Sequence, residues 1–312
     1  MPGAPIRQEA LVGFSEQPLS RRGVLGAAMV GAFGLVSGCA SSSGQNPQVA
    51  GNTSTSGASP QPTTASPNPA SPAPTQATAA QIAARATVPV LCYHQVRPYE
   101  SGDSTYTKEL LVAEPAAFEA QLDAMKAAGY TTIGPDAYLE HLTTGKALPA
   151  KPVMLSFDDG KNNQPGTALP ALLERGMTGT WYIMTVVIGN SGWTTKKQIR
   201  EMADAGITIG CHTYDHNDVR KYAGKDFTTQ FDDARKKLQD LSGQPVDSFA
   251  YPYGAWNPAA LPHLAKAGFS TGFQLDEKPL DPKRPLLTLR RSLAVSTWTG
   301  DEVVKKLDAL SA

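Results

Sequence analysis

From Val88 to the C-terminus, short runs of apolar, β-branched and aromatic residues alternate with stretches of helical spacing. That alternation confines the chain to an α/β architecture with a parallel sheet. The strand-like runs are Val88–His94, Lys151–Asp159, Thr180–Val187, Ile207–Cys211, Phe249–Tyr253, Phe269–Gln274 and Leu286–Val295. Between them, helices are expected over Pro115–Ala128, Pro135–Leu142, Leu169–Arg175, Thr195–Ala205, Phe227–Leu241, Asn257–Ala267 and, last, Asp301–Leu310. Gly129, Gly176, Gly206, Gly243 and Gly268 each follow a helical stretch, where a left-handed closing residue is needed. Thr195 with Gln198 has the spacing of a capping box. No segment repeats at a fixed period, which excludes a solenoid or propeller. The residues able to do chemistry, His94, Asp158-Asp159, His212 and Tyr253, fall where strands end. Active sites of α/β barrels gather at that rim, so the pattern fits a barrel.

Two features of those strand ends point to a cation. Asp158 and Asp159 are adjacent carboxylates that repel unless a proton or a cation intervenes. His212 and His216 follow an apolar run and are four residues apart, so one helical or turn-like segment can aim both imidazoles at a single point. One carboxylate with two neutral imidazoles suits a catalytic zinc ion that keeps a position open for water. Among the aromatic residues, Trp193, Tyr214, Trp256 and Trp298 are candidates to line a sugar groove, with Tyr214, between the two histidines, the best placed.

The segments Ser156-Phe157-Asp158-Asp159-Gly160, His212-Thr213-Tyr214-Asp215-His216 and Phe249-Ala250-Tyr251-Pro252-Tyr253-Gly254 resemble, in order and separation, the motifs of the polysaccharide deacetylases built on the NodB-homology domain. The resemblance runs from about Val88 to the C-terminus. It implies an irregular (β/α) barrel of seven parallel strands and hydrolysis of N-acetyl groups on an amino-sugar polymer such as peptidoglycan, exopolysaccharide or a chitin-like chain. It further implies that Asp159, His212 and His216 hold Zn2+ or another divalent ion. Asp158 would be the base acting on a water held by that ion, and the Tyr253 backbone N–H would help hold the oxyanion. Tyr214, Tyr253 and Trp256 would contact the sugar.

Two departures stand out. Where many members carry an arginine that orients the catalytic aspartate, this chain has Ala250, and Arg290 or Arg291 is the candidate replacement. The late Leu-x-His motif reads Leu293-Ala294-Val295, so the general acid is open between His94, Asp158 handing its proton on, and a second metal-held water. Two other readings share these residues: an O-acetyl esterase on acetylated xylan, and a non-catalytic carbohydrate-binding lipoprotein. There is no G-x-S-x-G element for a serine esterase, and no P-loop or dinucleotide fingerprint.

Lys and Arg number 28 and Asp and Glu 28 in 312 residues, a balance that argues against a nucleic-acid binder. Residues 1–39 read as an export signal: Arg21-Arg22 resembles a twin-arginine pair, and an apolar run follows to Leu35. Leu35 to Cys39 resembles a lipobox, which makes Cys39 the expected lipid anchor of an exported, membrane-held or secreted protein. Residues 40–84, almost all Ser, Thr, Pro, Ala, Gly and Gln, are expected to be a disordered tether. The catalytic domain is then 85–312. Cys92 and Cys211 are expected as small core residues, with a disulfide between them as the lesser alternative. Nothing in the sequence sets an oligomeric state.

Overall fold

A computed structural model describes residues 77–275 and 278–311. The export signal, Cys39 and the tether up to residue 76 lie outside them. The strands are β1 (Val90–Tyr93), β2 (Gln95–Val96), β3 (Val112–Ala113), β4 (Thr131–Thr132), β5 (Pro152–Asp159), β6 (Thr180–Ile183), β7 (Thr208–Cys211), β8 (Ser248–Ala250), β9 (Thr271–Phe273) and β10 (Ser292–Leu293). The helices are α1 (Ala79–Arg85), α2 (Pro115–Ala127), α3 (Pro135–Thr144), α4 (Leu169–Glu174), α5 (Lys196–Asp204), α6 (Ala234–Ser242), α7 (Leu261–Lys266) and α8 (Gly300–Leu310). Seven strands form one parallel sheet in the order β10-β1-β5-β6-β7-β8-β9, with β4 added on β5 and β2 pairing β3 apart.

The seven strands close on themselves through one short segment. Leu289 bridges Phe273 on β9, donating its N–H to Gly272 and accepting from Gln274, both at 2.8 Å. Three residues on, Ser292 pairs with Leu91 on β1. The expected barrel of seven parallel strands is therefore present.

Alternation along the strands sorts side chains to two sides. Val153, Leu155 and Phe157 of β5 join the main apolar cluster with α2, α4 and α5. There Phe157 stacks on Trp181 with centroids 4.4 Å apart. Met154 belongs instead to a second cluster with Val90, Tyr182, Ala250, Phe273 and Leu289, which fills the lower interior of the barrel. Inside, the Tyr182 hydroxyl spans to Ser248 Oγ at 2.7 Å. Gly210 makes room for that ring: a Cβ at 210 would lie 2.4 Å from Tyr182 Cδ1. Above Met154, the inward positions Ser156 and Asp158 are polar, so the interior changes from apolar to polar toward the strands' C-terminal ends.

Several sequence expectations change. The tether does not run to residue 84. Thr78 and Gln81 form a capping box that opens α1, and Ile82 is buried with Val88, Tyr138 and Leu142. Arg85 also donates to the Leu142 carbonyl at 3.0 Å. The composition of 40–84 hid one apolar residue with a place to go. The strand expected over Thr180–Val187 stops at Ile183, and that over Phe249–Tyr253 stops at Ala250 and turns through Pro252–Gly254. The Leu286–Val295 run is split into a turn at Pro285–Leu287, the Leu289 bridge and β10. The Phe227–Leu241 helix opens with a π-helical turn, Thr228–Asp233, before α6. Cys92 and Cys211 do not pair: both thiols are free, and they lie on β1 and β7 with β5 and β6 between. No helix among the described residues is long and apolar enough to cross a membrane.

Candidate active site

The polar layer at the top of the barrel is built around Asp158. The carboxylate is 3% exposed. Arg291 meets it edge to edge, Nη1 to Oδ1 at 2.7 Å and Nη2 to Oδ2 at 2.8 Å. Ser156 accepts from Arg291 Nη1 at 3.1 Å, and the Cys92 thiol donates to Asp158 Oδ2 at 3.4 Å. Burial alone would push the Asp158 carboxyl up; the Arg291 guanidinium overcomes that and holds it well below the usual carboxylate range. The two arginines that the sequence left open are thereby separated. Leu289 faces inward, so Arg290 is exposed and Arg291 is buried inside the ring.

Asp159, the last residue of β5, turns to a different target. Its Oδ1 lies 3.7 Å from His212 Nε2 and 3.4 Å from His216 Nε2, and the three donor atoms are all within 4.8 Å of one another. Arms of 2.0–2.2 Å to a tetrahedral zinc ion place donor atoms about 3.3 Å apart. The tautomer fits as well. His212 Nδ1 lies 2.8 Å from the Ala250 carbonyl and must donate to it, which leaves Nε2 with a free lone pair toward Asp159. Burial pushes His212 down to about 4, so the ring is neutral at pH 7. The donor set and its tautomer therefore suit a divalent ion.

The local backbone is forced. Asp159, Thr213, His216 and Tyr253 all have positive φ, at 77°, 69°, 67° and 59°. Only one other non-glycine among the described residues does, Lys151. Left-handed conformations cost a non-glycine residue about 1–3 kcal/mol each, and they collect where geometry is over-determined by function. After Asp159 comes Gly160, φ 85°, where a Cβ would meet Ile183 Cγ2 at 2.8 Å. Tyr253 sits in the Pro252–Gly254 turn rather than at a strand end, and its ring lies edge-on to His216, centroids 4.6 Å apart.

His94, directly after β1, offers a ring nitrogen within 4.8 Å of both Cys92 Sγ and an Asp158 oxygen. Its Nδ1 is buried without a hydrogen-bond partner among the described residues. These three groups also resemble a metal site, but Arg291 already occupies both Asp158 oxygens, and a second cation would sit against the guanidinium. The sugar-groove candidates divide. Tyr214 is half-buried and packs on the main cluster beside the histidine loop. Trp256 is 9% exposed and donates its indole N–H to Gln274 at 2.7 Å, so most of the ring is packed into the fold. Lys161 covers the Trp193 ring at 3.4 Å from its centroid.

Sequence reasoning missed Ser156, Cys92 as a partner of Asp158, and the Ala250 carbonyl that holds His212. The first two were within reach: Ser156 and Asp158 share a strand face by period two, as do Cys92 and His94. The role of the Ala250 carbonyl has no side-chain signal at all.

Comparison with known proteins follows the same residues. The polysaccharide deacetylase family profile matches residues 145–272. YxkH of Bacillus subtilis (strain 168), named for that family, is 30% identical over 187 residues, 60% of this chain and 64% of YxkH, so the match spans just under two thirds of that relative. A poly-β-1,6-N-acetyl-D-glucosamine N-deacetylase of Staphylococcus aureus is 27% identical over 240 residues, 70% of this chain and 82% of that protein. Among solved structures, IcaB from Ammonifex degensii superposes with a TM-score of 0.59 at 27% identity, covering 72% of this chain and 97% of that one. The Streptococcus pyogenes deacetylase PplD, at 24% identity and a TM-score of 0.65 over 70% of this chain and 97% of that one, shows the same fold.

Proposed function

We propose that this chain, a member of the polysaccharide deacetylase family, is an exported, metal-dependent hydrolase that removes N-acetyl groups from an amino-sugar polymer. One observation carries the reading. Asp159, His212 and His216 converge on one point, while the neighbouring Asp158 is kept out of that set and held by Arg291. Asp159, His212 and His216 would hold a divalent ion, Zn2+ being suited to one oxygen and two imidazole donors, which would polarise the acetyl carbonyl and make a water more acidic.

The protein's own groups do the rest. Asp158 accepts a proton from the water that attacks the acetyl carbon. Its pairing with Arg291 keeps it ionised and fixed, which makes it a weak base that is always in the right protonation state. The Tyr253 backbone N–H, presented by a left-handed turn next to His216, faces the developing oxyanion. His94 gives a proton to the leaving nitrogen as the C–N bond breaks, and acetate and a free amine result. His94 takes this role because its buried Nδ1 lacks a partner and it sits on the Asp158 side of the site. Tyr214 contacts the sugar. The name of the staphylococcal relative makes poly-N-acetylglucosamine the first substrate to try.

The test is Asp158→Asn in the full chain. The variant should keep the wild type's metal content while acetate release from N-acetylglucosamine polymer falls by roughly 10²–10⁴. Undiminished turnover in that variant removes Asp158 from the base role. Acetate released from acetylated xylan but not from amino-sugar polymers would move the activity to ester cleavage.

A further inference from the structure

Two buried glutamines hold the two halves of this site from behind. Gln230 is 6% exposed and lies on the π-helical turn Thr228–Asp233. Its Oε1 accepts from the backbone N–H of Tyr214 at 3.0 Å and of Asp215 at 3.4 Å, and from the Tyr222 hydroxyl at 3.3 Å. Its Nε2 donates to Asp215 Oδ1 at 2.8 Å. All but the Tyr222 contact fall on the loop between His212 and His216, the loop whose Thr213 and His216 are left-handed. Gln164 is fully buried and opens the π-helical turn Gln164–Ala168. Its Nε2 donates to the carbonyls of His94 and Asp158, the latter at 2.5 Å. It thereby ties the end of β1 to the end of β5. The amide orientation follows from the partners, since both are acceptors. Its Oε1 is buried without a partner among the described residues, an arrangement that is costly to keep. A π-helical turn inserts a residue into a helix and re-aims the side chains beside it, and such turns recur at functional sites.

We propose that Gln230 and Gln164 are positioning residues with separate tasks: Gln230 sets the metal-binding loop, and Gln164 sets the spacing of the proton-transfer pair His94 and Asp158. The proposal rests on the metal and proton-transfer roles assigned above. Neither glutamine touches the reacting atoms. Gln230 holds the loop with the left-handed Thr213 and His216, and Gln164 holds the two strand ends that carry His94 and Asp158. Groups behind metal ligands commonly govern affinity by 10–100-fold. Displacing a reacting group by about 1 Å commonly lowers turnover about 100-fold.

The experiment uses the full chain and two readouts, Zn2+ affinity by competition with a fluorescent chelator, and kcat and KM for acetate release. Gln230→Met should weaken Zn2+ binding about 10–100-fold. Gln230→Glu keeps the acceptor for Tyr214 and Asp215 but opposes the Asp215 carboxylate, and should fall between. Gln164→Met should hold Zn2+ as the wild type does, with kcat down about 10–100-fold and KM little changed. Circular dichroism and thermal unfolding check that each variant is folded, and if Gln230→Met does not fold, Gln230→Glu carries the same test. Wild-type Zn2+ affinity in folded Gln230 variants overturns the proposal, as does a pattern in which both substitutions lower both readouts alike. A wild type that binds no Zn2+ sinks the metal reading first and this proposal with it.

Discussion

The buried pair of Arg291 and Asp158 is the residue-scale feature on which the site depends. Neither side chain has water to fall back on, so losing one strands the other. Arg291→Ala should cost about 3–5 kcal/mol at pH 7, seen in urea unfolding, and should remove most turnover. Arg291→Lys should restore little, because an ammonium cannot bridge two carboxylate oxygens. The pH dependence has a definite sign. The folded-state pKa of Asp158 is depressed, so its stabilisation is present above the unfolded value of about 3.9 and is lost as pH falls below it. In Arg291→Ala the largest opposition to burial is lost, so that pKa rises and the stabilisation gained on ionisation shrinks. The stability gap between wild type and variant should therefore widen from pH 3 to pH 7. A constant gap would mean that Arg291 acts through packing alone. Sequence could narrow the guanidinium to two adjacent positions but not choose between them. The choice needs the inward phase of the last strand, and that phase is set by Leu289 pairing with β9.

At the scale of elements, α1 closes the end of the barrel opposite the site. Ile82 packs with Val88 and Val90 at the start of β1, and with Tyr138 and Leu142 of α3. Ile82→Ala should cost about 2–4 kcal/mol through the cavity it leaves, read from the unfolding midpoint, with Zn2+ affinity and turnover unchanged. Altered turnover would show that the two ends of the barrel are coupled. Helices were largely legible because their signals are local: Thr195 with Gln198 does form a capping box, and Gly243 does close a helix in the left-handed conformation. Strand ends were less legible. Thr185 to Val187 are β-branched like the strand before them, yet they leave the sheet, and the N–H groups of Thr185 and Val186 bond to the carbonyls of Thr213 and Tyr214 in the histidine loop. Such a hand-over depends on a partner about thirty residues away.

Across the described residues, α1 packs by the N-terminal ends of the strands and the candidate site lies at their C-terminal ends. If Cys39 carries a lipid, as its sequence context proposes, Cys39→Ser should move the protein from the membrane fraction to the soluble or secreted one, with specific activity on soluble substrate retained. Retention in the membrane fraction would overturn that anchor. The sequence by itself determined the fold class, the strand-end location of the chemistry and the three candidate metal donors. These are written in local periodicity, in the adjacent Asp158 and Asp159, in the four-residue spacing of His212 and His216, and in the motifs that carry the family resemblance. Tertiary structure alone decided which arginine meets Asp158, that the Trp256 indole bonds Gln274, and that Gln164 and Gln230 hydrogen-bond the ends of β1 and β5 and the histidine loop. The first depends on how the ring of strands closes, a matter of register between Leu91 and Ser292, and the others on contacts between separate elements; no local pattern encodes either.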